Sequence, residues 1–253
     1  MSILSKWFSP KKYQYENHRI AMKNQFQTVL DESKPHQDLI DFEPDLYAGI
    51  RAYLSTPLPD LSTPLGTLPI VSVDFETTGL HPQRDKLLSV GCVDVIGKQI
   101  LLAKHYHQVI DVEQQLENDN VCVHQITEQE SQAGKSLDVV VNELLLAIAG
   151  KVMLVHFNKI ERAFLTQACW VLYGIKPQFP MIDTLLLANE SLRKKGFIIE
   201  PRDLTLSNLR QRYYLPNHNA HNALGDAVAT AELYLAMMSE RDLASLTLKD
   251  VVV

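Results

Sequence analysis

Residues 70–80 read Ile70-Val71-Ser72-Val73-Asp74-Phe75-Glu76-Thr77-Thr78-Gly79-Leu80, a β-rich apolar run that ends in two carboxylates and a turn. Because strand side chains alternate, Asp74 and Glu76 project from one face while Val73 and Phe75 point to the other. Two carboxylates held side by side near the end of a buried strand repel each other if nothing offsets their charge. The arrangement therefore implies a divalent cation or a raised pKa. A bare D-x-E is common and by itself reads more readily as a solvated strand end; the Glu-Thr-Thr-Gly continuation is what makes it specific.

Working outward from this strand, Leu87 to Ile96 and Ile100 to Ile110 supply two further strand candidates, with Gly97-Lys98 as the turn between them. Three consecutive strands fit an antiparallel meander. A helix is expected at Leu137 to Ile148, where Leu137, Val140, Val141, Leu144, Leu145 and Ile148 form one stripe, followed by a short buried strand at Val152 to Val155. Further helices are expected at about 159–173, 183–194, 203–213 and 223–239. The order βββαβα with later helices predicts an α/β fold, a mixed sheet covered by helices.

Residues 1–68 differ in composition. Lys6, Lys11, Lys12, Arg19 and Lys23 face only Glu16, and then Asp31, Glu32, Asp38, Asp41, Glu43 and Asp45 crowd the next stretch. Met22, Phe26, Val29 and Leu30, and again Leu46, Ile50, Tyr53 and Leu54, recur at helical spacing. Pro57, Pro59, Pro64, Gly66 and Pro69 then break the pattern. The expected organisation is a helical extension and linker over 1–68 and a compact α/β domain over 69–245.

The 253 residues, 46% hydrophobic and 21% charged, are enough to bury a full core. A net charge of −6 argues against a broad basic surface that holds long duplexes by phosphate neutralisation, so any nucleic-acid partner must be gripped locally. Cys92, Cys122 and Cys169 are far apart and lack C-x-x-C spacing, which supports neither a disulfide framework nor a thiolate zinc site. The start of the chain does not resemble a secretory signal, and the longest apolar run, Leu144 to Ala149, is far too short to span a bilayer. A cytoplasmic location without membrane attachment is expected. Trp7 and Phe8, in the basic start, read as part of a solvated helix in preference to a contact with nucleic acid or membrane.

Two more segments carry chemistry. In Val155-His156-Phe157-Asn158-Lys159-Ile160-Glu161, a strand end turns into a helix, and Glu161 shares its face with Leu165, Ala168 and Leu172, so it points inward. Taken alone, the segment reads as a capping box with Asn158 as N-cap and Glu161 at the third helical position. In His221-Asn222-Ala223-Leu224-Gly225-Asp226, a five-residue separation puts two helical side chains roughly 140° apart. His221 and Asp226 can thus share a site only if His221 lies on the preceding loop. The alternative is a surface histidine beside an aspartate that favours the helix dipole. Leu224, Val228, Ala231, Leu235 and Met238 mark the buried stripe of that helix.

Together, in this order and spacing, the three segments resemble the DEDDh exonucleases, the DnaQ-like family that includes the proofreading epsilon subunit of bacterial DNA polymerase III. The resemblance covers about residues 69–240. Val123-His124-Gln125-Ile126-Thr127 looks like the family's His-Gly-Ile-Thr segment, and Met181-Ile182-Asp183-Thr184-Leu185 resembles its Ile-Asp-Thr-Leu segment. The likeness implies an RNase H-like mixed five-stranded sheet, with Asp74, Glu76, Glu161 and Asp226 as the four acidic positions and His221 as general base. Asn222 stands where the tyrosine variant of the family carries Tyr, so the histidine type fits. One departure is Glu161, since the family normally has aspartate there and writes His-Asn-x-x-Phe-Asp. The longer side chain loosens octahedral Mg²⁺ geometry, and the expectation is activity that is weakened or shifted toward Mn²⁺ but not abolished.

The resemblance further implies two Mg²⁺ or Mn²⁺ ions held by oxygen ligands, with Asp74 bridging both, Glu76 and Asp226 completing the first site and Glu161 serving the second. The implied activity is 3′→5′ removal of nucleoside 5′-monophosphates from single-stranded DNA or RNA ends. Thr77, Thr78, Gly79 and Leu80 would meet the terminal nucleotide, Leu80 as a wedge against its base, and His124 its phosphate or sugar. Leu80 reads equally as a core residue and His124 as a plain loop histidine. Two alternatives stay open: a silent nucleic-acid-binding or assembly module on the same fold, suggested by Glu161, and a proofreading subunit bound to a polymerase.

Overall fold

The computed structural model describes residues 21–26, 28, 45–112, 134–218 and 221–253. Its centre is a five-stranded mixed sheet, in the order β3-β2-β1-β4-β5, built from β1 (Pro69–Thr77), β2 (Leu87–Ile96), β3 (Gln99–Val109), β4 (Val152–Val155) and β5 (Met181–Asp183). β1 to β3 form the expected antiparallel meander. Ile96 and Gln99 are paired across the Gly97-Lys98 turn, where Gly97 has φ +57°, the conformation a tight hairpin needs. β4 joins β1 in parallel, with Ile70 opposite Val152 and Ser72 opposite Leu154, and β5 joins β4 in parallel.

A parallel pairing requires a crossover, and α2 (Leu137–Ile148) supplies it. The first helix among the named elements, α1 (Ala48–Ser55), packs on α2, and α3 (Lys159–Tyr173) completes that side. These helices cover the sheet face formed by Val71, Val73, Phe75, Val90, Cys92, Met153 and Val155. Each fully buried valine there stabilises the fold by about 1.5–3 kcal/mol. Phe26, in the helical stretch at 21–26, joins the same cluster and meets Tyr173 edge-on.

The opposite face carries Ile70, Ser72, Asp74, Glu76, Gly91, Val93 and Val95, the registered partners on β1 and β2. α6 (Ala223–Met238) lies across it, backed by α4 (Thr184–Lys194) and α5 (Leu206–Arg212), with the short α7 (Leu248–Val251) beside it. α6 differs from the expected single stripe: Ala223, Ala227, Ala229, Thr230, Ala231, Leu233, Tyr234 and Met238 are buried, while Leu224, Val228 and Leu235 are only partly so. The helix is sandwiched between sheet and helices, so small residues line two sides rather than large ones a single side. Likewise, the helix expected at 203–213 is a 3-10 turn, Pro201–Leu204, and then α5, separated by Thr205, whose hydroxyl caps α5 at Asn208 N.

Candidate active site

Asp74 stands on β1 directly opposite Gly91 on β2. A Cβ on Gly91 would overlap the backbone of Ala223 and Leu224, so its absence lets the first turn of α6 rest on the sheet. Two residue pairs along, Ser72 Oγ donates to Ala227 O at 2.7 Å and ties the same helix to β1. These two contacts deliver Asp226, in the first turn of α6, to the carboxylates of β1. Ligand oxygens of Asp74, Glu76 and Asp226 lie within 4.8 Å of one another, and all three side chains are partly exposed. A register shift between Glu76 and Thr77 ends the regular β1–β2 pairing at the cluster.

Glu161, expected as the fourth acidic position, is not among the three carboxylates that converge. It is buried, 2% exposed, at the start of α3, and its Oε2 has no hydrogen-bond partner among the described residues. The capping box that the sequence suggests is not made: Asn158 has helical dihedrals and forms no side-chain cap. Its amide instead donates to Asp183 Oδ2 at 2.6 Å. Asp183 also accepts Phe157 N at 3.1 Å and Asn158 N at 2.9 Å, and it caps α4 at Leu185 N and Leu186 N. One buried carboxylate thereby fixes both the turn into α3, where Phe157 adopts φ +75°, and the start of α4. That role is visible only in the fold.

The electrostatics follow from this crowding. Burial, then Glu161, Asp226 and Glu76, hold the Asp74 carboxyl well above the usual carboxylate range. Burial and Asp226 also raise Glu76, with His221 pulling the other way. Burial pushes Glu161 up to about 8, with Asp183 adding to the rise. Such a set is uncomfortable without a cation and well suited to one.

His221 lies on the loop before α6, as sharing a site requires. It is exposed, has φ +70°, and its backbone N–H donates to Asp226 Oδ2 at 2.9 Å. His218, which the sequence did not single out, brings Nε2 to 2.9 Å from Asp226 Oδ1, off the line of a hydrogen bond. His156 is also drawn in: its ring bonds Thr184 Oγ1 at 2.8 Å and Leu204 O at 3.0 Å, joining β4, α4 and the 3-10 turn.

Beyond β1 the chain folds into a tight turn. Thr78 N–H donates to Lys86 O, Thr78 Oγ1 accepts from Lys86 N, and Thr77 Oγ1 donates to Gly79 O. A Cβ on Gly79 would collide with the Asp85 carboxylate, which braces the turn by accepting His81 N at 2.7 Å. Leu80 is 70% exposed and so is not a core residue. His124 lies outside the described residues, as does Cys122. Cys92 and Cys169 are buried free thiols, and burial pushes the Cys92 thiol up to about 12. No helix among the described residues is long and apolar enough to cross a membrane.

A sequence pattern of the RNase T type, described as Exonuclease, matches residues 71–234, a span that contains all of these groups. The chain belongs to this exonuclease family. It is 29% identical over 194 residues to the PolC-type DNA polymerase III of Thermotoga maritima, covering 74% of this chain but only 14% of that protein. It is 26% identical over 184 residues to the DNA polymerase III epsilon subunit of Rickettsia typhi, covering 70% of this chain and 77% of that one. Among solved structures, the cell-death related nuclease CRN-4 superposes with a TM-score of 0.57 at 14% identity, over 70% of this chain and 65% of that one. The fold is that of the DEDDh, DnaQ-like exonucleases.

Proposed function

We propose that the protein is a metal-dependent 3′→5′ exonuclease that releases nucleoside 5′-monophosphates from single-stranded nucleic-acid ends. The observation that carries this reading is the convergence of Asp74, Glu76 and Asp226 oxygens within 4.8 Å of one another. The donor set is all oxygen, which suits hard Mg²⁺ or Mn²⁺ ions, and the unpartnered Glu161 Oε2 is a further donor beside it. Asp74, Glu76 and Asp226 would hold one ion, and Asp74 with Glu161 a second. Held there, such ions would supply charge neutralisation at the scissile phosphodiester and a lowered pKa for attacking water.

The chain's own residues supply the rest. His221, exposed on its loop, accepts the proton of the attacking water. Water oxygen bonds to phosphorus, the bond from phosphorus to the 3′ oxygen of the preceding nucleotide breaks with its electron pair going to that oxygen, which takes a proton from solvent to become the new 3′-hydroxyl, and the terminal nucleotide leaves with its 5′-phosphate. The Thr78 amide is already committed to Lys86 O, so contact with the terminal nucleotide falls to Gly79 and Leu80. The exposed Leu80 side chain wedges against the base. A second reading, a proofreader attached to a polymerase, is favoured by the polymerase names of the two relatives.

The test is incubation of the purified protein and His221→Ala with 5′-labelled single-stranded DNA and RNA, in Mg²⁺, Mn²⁺ or EDTA. A metal-dependent shortening ladder from the parent, slowed about 10²–10⁴-fold in the variant, is expected. Binding without shortening in any metal would instead identify a silent module.

A further inference from the structure

Although the chain carries a net charge of −6, the stretch 193–214 holds six cationic side chains against two carboxylates. The same stretch exposes Phe197 to 51%, Ile198 to 96% and Tyr214 to 96%. Arg212 lies over the Phe197 ring at 5.1 Å, so the end of α5 and the loop after α4 form one aromatic and cationic surface. Lys195 is exposed beside it in sequence. Exposed rings interleaved with guanidinium and ammonium groups are what a single-stranded nucleic acid needs: faces on which bases stack, and charges for phosphates.

The position of this surface is also fixed relative to the catalytic cluster. Arg210, 3% exposed, donates to Ala229 O at 2.7 Å and Pro216 O at 2.9 Å and pairs with Glu232 at 2.8 Å, pinning both α5 and the segment after it to α6. From Tyr214 the chain reaches His218, beside Asp226, in a span that extended backbone limits to about 14 Å. We infer that Phe197, Arg212 and Tyr214 form a stacking platform for the single strand a few nucleotides upstream of the bond that is cut. This inference rests on the proposed exonuclease function and specifies how its substrate is gripped. A platform of this kind gives an acidic protein local hold on a polyanion and makes affinity depend on strand length.

The experiment measures anisotropy of fluorescein-labelled oligo-dT of 4 and 16 nucleotides with the full chain. Ca²⁺ replaces Mg²⁺, and the proteins compared are the parent, Phe197→Ala/Tyr214→Ala and the conservative Phe197→Trp/Tyr214→Phe. Base–aromatic stacking is strong enough that the alanine pair should weaken 16-mer binding by at least about tenfold, with the loss for the 4-mer under about twofold and with affinity kept in the conservative pair. Arg212→Gln should lower the salt dependence of 16-mer binding. Equal affinity of the parent for both lengths would overturn the platform, as would an alanine pair that binds the 16-mer like the parent; the latter would point to a protein partner for this surface. Since binding is read without hydrolysis, an inactive parent that still loses 16-mer affinity in the alanine pair would refute the exonuclease reading and keep the platform.

Discussion

The Asp74 carboxyl is raised by burial and by three carboxylate neighbours, which makes it the residue where charge and stability are most directly opposed. Asp74→Asn should therefore raise metal-free stability, because it removes a buried charge that its neighbours oppose, while abolishing hydrolysis. Thermal melts with EDTA and with Mn²⁺ read both effects. The parent should melt higher with Mn²⁺ and the variant should not; a variant that still gains with Mn²⁺ would place the metal elsewhere. Glu161 stands where the resemblance leads one to expect aspartate, and its added methylene changes the reach of a buried oxygen that has no partner among the described residues. Glu161→Asp should raise the ratio of Mg²⁺- to Mn²⁺-supported hydrolysis severalfold, measured as initial rates on one oligonucleotide. An unchanged ratio would mean that this position does not set metal preference.

At the scale of elements, the site depends on how closely α6 approaches β1 and β2. Gly91→Ala puts a methyl group into the backbone of Ala223 and Leu224, so the helix has to move off the sheet. Overpacking of this kind typically costs about 1–3 kcal/mol. Urea denaturation should show that loss, and activity should fall by more than the unfolded fraction explains, because Asp226 moves with the helix. Ala223 and Ala227 are buried against the sheet for the same reason, and this is where sequence patterning was least informative. α2 and α3 were legible because each has a single apolar face, and β1 and β2 because they are near-continuous runs of strand-forming residues, buried on both faces and bounded by turns; Asp74, Glu76 and Asp226, which converge, were legible because each sits near the end of its strand or in the first turn of its helix. The two-sided burial of α6 was hidden, since small residues carry little periodic signal. The capping box predicted for Asn158 and Glu161 failed because Asp183, 25 residues from Asn158 in sequence, offers a stronger acceptor. His218 was overlooked because its partner lies across a turn, at no helical spacing from it.

For the whole molecule, the raised carboxyls couple folding to pH. A group whose folded pKa exceeds its unfolded value binds more protons in the native state, so stability falls as pH climbs between the two. For Glu161 that window runs from the ordinary value of 4.5 to about 8, and Asp74 and Glu76 shift in the same direction. Metal-free protein should thus be more stable at pH 5.5 than at pH 8, by about 2 kcal/mol or more. Saturating Mn²⁺ should flatten or reverse the trend, because a cation favours the deprotonated carboxylates and its binding releases protons. Urea titrations at the two pH values, with EDTA and with Mn²⁺, check the sign. Stability that rises toward pH 8 in EDTA would show that these carboxyls are already ionised in the native state.

At Gly91 the helix bearing Asp226 meets the sheet through main chain alone. A side chain between them would act as a cushion, able to switch rotamer and let the helix drift as the protein warms or a substrate presses on it. Without that cushion, the spacing between the carboxylates of β1 and the one on α6 is set by a rigid stop, and adaptation to differently shaped substrates has to come from the loops around the cluster.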